Sequence, residues 1–445
     1  MIPGEQRRDV SLYLLMALCL FSALFGRLCF IGRPFDSDGS MFIYMGRLVS
    51  EGGRFCHDLV DNKFPTVGLM TSAPWRAFNA EWPPYVLLGT VLSLTGTLLL
   101  ARTSRRHFGA YAVVPCVLFS LVYLNFNFAV FGGFQLETLQ MFFAILAGCA
   151  AIEALRSGDW RDAFVVGSCA GCAAMLKPTG LAVLGAFLVA LFFERVAVST
   201  IARQFLAALA GLAVPALVTA AYLIGTDTLA DMPGLIRQIA AYSSNSSWEP
   251  SDFNKPVTVL AIAGFPLAVR GWVFRRARHC VTASPDRRIF AFVIAWLALE
   301  TVGVAMQRRM YGYHFLVLTP PLTLLFAMIP RQVRAAQLTA ALAPVALFSI
   351  YGGSIIVELG YTGLEPTPVS RYIAERADPA DAVWRDDAAR LWLETGLRPA
   401  TRFPITFLFA NYDQAPLEYS RRMIADFERT RPKFVVLPAE LDRMI

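Results

Sequence analysis

The polar positions of this chain come in short bursts between long apolar runs. Runs at roughly 11–31, 83–101, 110–130, 137–155, 204–225, 289–306, 311–329 and 335–357 approach the ~20 residues that a bilayer-crossing helix needs. Three shorter runs, 163–176, 178–193 and 256–269, raise the expected number of spans to about eleven. Lys177 and Pro178 separate the first two of these, because proline cannot continue a helix and its predecessor avoids the helical region. Between the first two spans, Gly39–Ser50 places Met41, Tyr44, Met45 and Leu48 at helical spacing. That spacing predicts an amphipathic helix lying on the membrane surface, followed by a turn at Gly52–Gly53.

The pattern changes at about residue 358. The polar tail carries helical runs near Val369–Arg376 and Ala388–Thr395, and IADFERTRPKFVVL reads as a helix followed by a short buried strand. The expected fold class is a polytopic α-helical membrane protein, residues 1–357, with a small external α/β domain, residues 358–445. A tail of that size is too small to bury a large core alone.

Composition agrees with this division. Of 445 residues, 56% are hydrophobic and 16% charged, against about 25% charged in a soluble protein. Mean hydropathy is +0.51. The net charge of +7 would suggest nucleic acid on a soluble protein. Here the surplus sits in short links such as RTSRRHFG, RSGDWRD and RGWVFRRARHCVTASPDRR, where it marks the cytoplasmic side. The amino terminus, with Arg7 and Arg8, is then cytoplasmic and its apolar run a retained anchor rather than a cleaved signal. The loop 32–82 and the tail fall outside, which predicts a multi-pass protein of the inner (plasma) membrane with its site on the external, periplasmic face. No nucleic-acid partner is expected. The eight cysteines suggest no disulfide framework, and GSCAGC, with Cys169 and Cys172, reads as a small-residue helix contact.

Candidate chemistry gathers in Phe35–Pro65, FDSDGSMFIYMGRLVSEGGRFCHDLVDNKFP. It holds Asp36, Asp38, Glu51, Asp58 and Asp61 with His57 and Lys63, charges that can pair with each other, bind sugar hydroxyls or hold a metal. In an extended segment, Asp36 and Asp38 at i and i+2 point to one side. Alternatively, Asp38 caps the helix that follows. Carboxylate oxygens suit a hard cation such as Mg²⁺ or Ca²⁺, with Asp36 and Asp38 as its ligands if one binds. No spacing of His and Cys suggests zinc. Further along, Glu137 sits at the mouth of a span. Lys177 is either an interfacial lysine beside a helix-stopping proline or a cation for a lipid phosphate. QRRMYGYH, with Arg308, Arg309 and His314, is either an interfacial anchor or a phosphate clamp. A lipid-linked phosphate is the energy source that such an external site would use. A carboxylate would take the proton of an attacking hydroxyl, and the basic residues would stabilise the departing phosphate.

The first loop resembles that of the GT-C superfamily of polyprenyl-phosphate-sugar-dependent glycosyltransferases, near the protein O-mannosyltransferase and aminoarabinose-transferase-like group. The matching residues are Asp38, Phe42, Tyr44, Gly46 and Gly52, then Asp58, Asp61, Lys63 and Pro65. Weaker echoes are KPTGL (177–181), YHFLVLTPPLTLL (313–325) and DAVWRDDAARLWLETGLRPATRF (381–403). The resemblance implies a polyprenyl-phosphate monosaccharide donor and inversion at the anomeric carbon. It also implies a glycan, lipid or protein acceptor, membrane lipids as surroundings, and Asp38 as catalytic base. Substrate contacts would fall to Tyr44, His57, Asp58, Asp61, Lys63, Glu137, Lys177, Arg308, Arg309 and His314. Two departures stand out. Gly39 follows Asp38 where many relatives carry Glu, leaving Asp36 as partner or rival base. Phe55-Cys56-His57 also replaces the usual proline-tyrosine before the later acid. A transporter or flippase for a lipid-linked or polar solute is the competing class, and Glu300 within a span is the residue that fits it.

Overall fold

The computed structural model describes residues 35, 37–109, 134–193, 197–244, 287–307, 312–328, 366–385, 389–404 and 417–437, together with 24, 112–113 and 115–116. In chain order the helices are α1 (Ser37–Ser50), α2 (Thr66–Phe78), α3 (Pro83–Phe108), α4 (Leu136–Ser157), α5 (Trp160–Leu176), α6 (Ala182–Leu191) and α7 (Val198–Gly225). They continue with α8 (Met232–Ser244), α9 (Arg287–Met306), α10 (Thr319–Ala327), α11 (Pro368–Ala374), α12 (Ala389–Thr395) and α13 (Leu417–Thr430). Among the described residues of the tail lie three short strands, β1 (Ala382–Trp384), β2 (Arg398–Pro399) and β3 (Phe434–Val435).

Among the described residues, α3, α4, α7 and α9 are long and apolar enough to cross a membrane. Helix α7 leaves Leu206, Val214, Leu217, Val218 and Ile224 exposed, an apolar surface suited to lipid. The protein is a helical membrane protein with a small sheet. The expected spans 163–176, 178–193 and 311–329 are shorter pieces here: α5, then a 3₁₀ turn (Pro178–Leu181) leading into α6, and a 3₁₀ turn (Gly312–Leu318) leading into α10. Lys177 is extended at φ −151°, ψ 129°, as a residue before proline prefers. The expected spans at 256–269 and 335–357, and nearly all of 11–31 and 110–130, lie outside the described residues.

The chain divides into two compact units. The first contains the described residues of Val86–Ala216 and Trp248–Tyr361. Its core is held by close helix contacts at small residues. A Cβ on Gly167 would stand 1.8 Å from the Ala208 carbonyl oxygen, and one on Gly211 would stand 2.1 Å from that of Phe164. The GSCAGC run is therefore a backbone-to-backbone contact between α5 and α7, and Cys169 and Cys172 are free thiols beside it. Gly148 of α4 likewise makes room for the Trp296 ring of α9, which a Cβ would meet at 2.5 Å.

The second unit contains the described residues of Gly32–Tyr85, Leu217–Ser247 and Thr362–Ile445. Loop 32–82 is largely helical, since it contains α1 and α2. Helix α1 is not a surface helix. Met41, Phe42, Ile43, Tyr44 and Met45 are all buried, because α2 covers one side and α12 another. Five consecutive large, mostly apolar side chains leave no polar face through that stretch. At Gly46 a Cβ would meet the Thr71 carbonyl oxygen at 2.4 Å, so α1 and α2 touch through their backbones. The sheet is parallel throughout, in the order β2-β1-β3, with Val383 opposite Pro399 on one side and Phe434 on the other. Pro399 lies on an edge strand, where its missing N–H is tolerated. Val383 is fully buried, whereas Val435 is 51% exposed. The final strand is thus an exposed edge rather than the buried strand its apolar residues suggest.

Candidate functional site

Asp38 occupies the first turn of α1 and is half-buried. It is helical, not extended, and a carboxylate there is favoured by the free amides of the helix start. Its counterpart among the described residues is Asp61. That carboxyl is 1% exposed, and the amides of Asn62 and Lys63 donate to it. Burial pushes the Asp61 carboxyl above its ordinary range; the Lys63 ammonium opposes the rise, and the negative charge of Asp38 adds to it. Lys63 Nζ lies 3.7 Å from Asp61 Oδ1 and donates to Asn62 Oδ1. Asp61 Oδ1 itself has no hydrogen-bond partner. A half-buried carboxylate thus acts on a second one that is fully buried.

His57 and Asp58 are engaged in a different task. The Arg54 amide donates to Asp58 Oδ2 at 2.8 Å, and the Asp58 amide donates back to the Arg54 carbonyl at 2.8 Å. His57 Nδ1 lies 2.8 Å from Asp58 Oδ1, while Arg54 Nη2 reaches His57 Nε2 at 3.2 Å. Arg54 Nη2 also lies 2.9 Å from His57 Nδ1, so the guanidinium sits against both ring nitrogens. Burial alone would raise the Asp58 carboxyl, but the Arg54 amide and the His57 ring outweigh it and hold it below its ordinary value. These residues lock a tight turn bridged by Phe55 and Leu59, in which Cys56 takes φ +71°. Burial pushes the Cys56 thiol up to about 12, with Asp231 adding to the rise, so it is no nucleophile at neutral pH.

Within the same unit the Val60 amide donates to the Arg402 carbonyl at 2.7 Å. Arg402 forks onto Asp426 through Nε at 2.8 Å and Nη2 at 3.0 Å. Tyr44 is buried, its ring 5.0 Å from that of Trp392, and burial pushes its phenol well up. It therefore serves as packing for α12 rather than as an open substrate contact. Glu81, just before α3, was not among the residues singled out by pattern. Burial pushes its carboxyl up to about 7, and Glu394 adds to the rise while Arg47 opposes it. Its only local signal is an acid beside Trp82 and two prolines; Glu394 lies far along the chain.

In the other unit, Glu137 begins α4 and is 2% exposed; Lys177 Nζ donates to its Oε1 at 2.6 Å. Lys177 is therefore spent largely on an internal ion pair. Gln140, one turn further along α4, donates to Thr179 Oγ1 at 2.9 Å. His314 is buried in the turn before α10. Asp36, Arg308 and Arg309 lie outside the described residues. Among the described residues no group of three or more His, Cys, Asp or Glu side chains is placed to hold a metal. A scan against protein-family models and a search of curated proteins find no match to this chain.

Proposed function

We propose that this chain is an inverting glycosyltransferase of GT-C-like, roughly eleven-span architecture. It would move a monosaccharide from a polyprenyl-phosphate donor to an acceptor hydroxyl at the outer face of the inner (plasma) membrane. The observation that supports the reading is the unequal pair Asp38 and Asp61, with Lys63 beside it, in a first loop whose residue pattern resembles that superfamily. In this reading Asp38 accepts the proton of the acceptor hydroxyl as its oxygen bonds to the anomeric carbon. The bond from that carbon to the phosphate oxygen breaks, and polyprenyl phosphate leaves with the electron pair. Asp61, buried beside Lys63, orders the loop. Arg308 and Arg309 are the basic residues that this reading assigns to the departing phosphate. A hard divalent cation, Mg²⁺ or Ca²⁺, would find Asp38 and Asp36 as its ligands.

Transport of a lipid-linked or polar solute is the second reading, favoured by one observation: Glu300 is 1% exposed within α9. Purified protein given a labelled polyprenyl-phosphate sugar and an acceptor mixture separates the two. Transferase activity releases polyprenyl phosphate in step with labelled product. Solute movement into vesicles without donor cleavage would overturn the reading.

A further inference from the structure

Helix α9 carries a buried stripe at Val293, Trp296, Glu300 and Val304. Trp296 fits over Gly148 of α4, and a Cβ on Gly303 would lie 3.1 Å from Thr179 Cγ2. Glu300 lies on the same buried face one turn before Gly303, and Thr179, the neighbour of Gly303, is the residue that Gln140 of α4 reaches. Trp296 Nε1 donates to Glu300 Oε1 at 3.1 Å, but Glu300 Oε2 has no partner, and neither has Gln140 Oε1. Both side chains are 1% exposed. Two acceptors thus lack a donor in a region that cannot solvate them cheaply.

Charge arithmetic points the same way. Glu137 and Lys177 offset one another through their 2.6 Å contact, and Glu300, on which the Lys177 ammonium also acts through space, adds one negative charge whenever it is ionised. Other charged groups on these elements are remote: Glu153 is 13 residues from Gln140 and Arg288 is 12 from Glu300, about 20 Å away along each helix. His314 and Tyr313 lie in the turn packed against α9, and Cys149 is a further titratable group on α4.

We propose that Glu300, Gln140 and Thr179 form a binding site for one monovalent cation inside the membrane-spanning unit. The donor set is a carboxylate, an amide carbonyl and a hydroxyl, all hard oxygens. The single surplus charge selects a monocation over a divalent ion, and either a proton or an alkali ion such as sodium supplies it. The site is independent of the glycosyltransferase reading.

The test is thermal unfolding of the full-length protein in detergent, in sodium chloride against choline chloride at equal ionic strength, at pH 6 and pH 8. Wild type should gain ~2–4 °C from sodium at pH 8 if the ion is sodium, or from the lower pH alone if it is a proton. Glu300→Gln, which removes the charge and keeps the shape, should lose the sodium response and respond less than wild type to the lower pH, the share owed to Glu81 remaining. Thr179→Val should shift the sodium response to higher concentration, and provides the readout if Glu300→Gln does not fold. His314→Gln should keep the wild-type response. The proposal is overturned if wild type responds to neither ion, if the Glu300→Gln or Thr179→Val response equals wild type, or if His314→Gln abolishes it.

Discussion

Glu81 offers a sharp test of the electrostatics of the loop-and-tail unit. Its carboxyl is pushed from an ordinary 4.5 up to about 7, first by burial and then by Glu394, against the pull of Arg47. A shift of roughly 2.5 units corresponds to about 3 kcal/mol at ~1.4 kcal/mol per unit. About a third of the group remains open to water, so screening reduces this to roughly 1–2 kcal/mol. The folded protein holds the Glu81 proton at pH values where the unfolded chain has already lost it. The contribution of Glu81 is therefore fully present below about pH 4.5 and is lost as pH rises through about 7. Glu81→Gln removes that dependence. Thermal unfolding of the detergent-purified protein, followed by tryptophan fluorescence, should give equal midpoints for variant and wild type at pH 4. By pH 8 the variant should unfold a few degrees higher. An equal offset at both pH values, or a variant less stable at pH 8, would refute the reasoning.

The helix contacts and the tail ion pair make further claims. Gly167→Ala forces a methyl against the Ala208 carbonyl and should cost about 1–3 kcal/mol or more, read as a lowered unfolding midpoint. Gly225→Ala, with nothing within 4 Å of the new atom, serves as the control and should leave the midpoint unchanged or slightly raised. Arg402→Ala leaves the buried Asp426 carboxylate with Arg429 at 2.7 Å and the backbone amide of residue 402 at 3.1 Å and should cost roughly 2–3 kcal/mol. Limited proteolysis of the tail would detect that loss, and Arg402→Lys should recover only part of it because the fork is gone.

The apolar runs were legible because a bilayer imposes its own length on each helix, and α3, α4, α7 and α9 follow it. The Lys177–Pro178 break and the GSCAGC contact were legible for equally local reasons: proline geometry and the need for small residues where backbones meet. The tail helices near 369–376 and 388–395 also emerge within a residue or two of their observed ends. What pattern alone missed depends on distant chain. Helix α1 reads as amphipathic until α12, some 340 residues later, covers it. The Glu137–Lys177 pair joins residues 40 positions apart, and the carboxyl of Glu81 owes part of its shift to Glu394. Asp61 looked like one acid among five, and only its burial distinguishes it.

The central claim is that Asp38 is the base for glycosyl transfer. The most direct measurement compares Asp38→Asn with wild type in release of polyprenyl phosphate from a lipid-linked sugar, with donor affinity and unfolding midpoint measured on the same samples. General-base catalysis contributes about 10²–10⁴-fold, so the variant should lose that much turnover while its midpoint and donor affinity stay close to wild type. Turnover within tenfold of wild type would contradict the account.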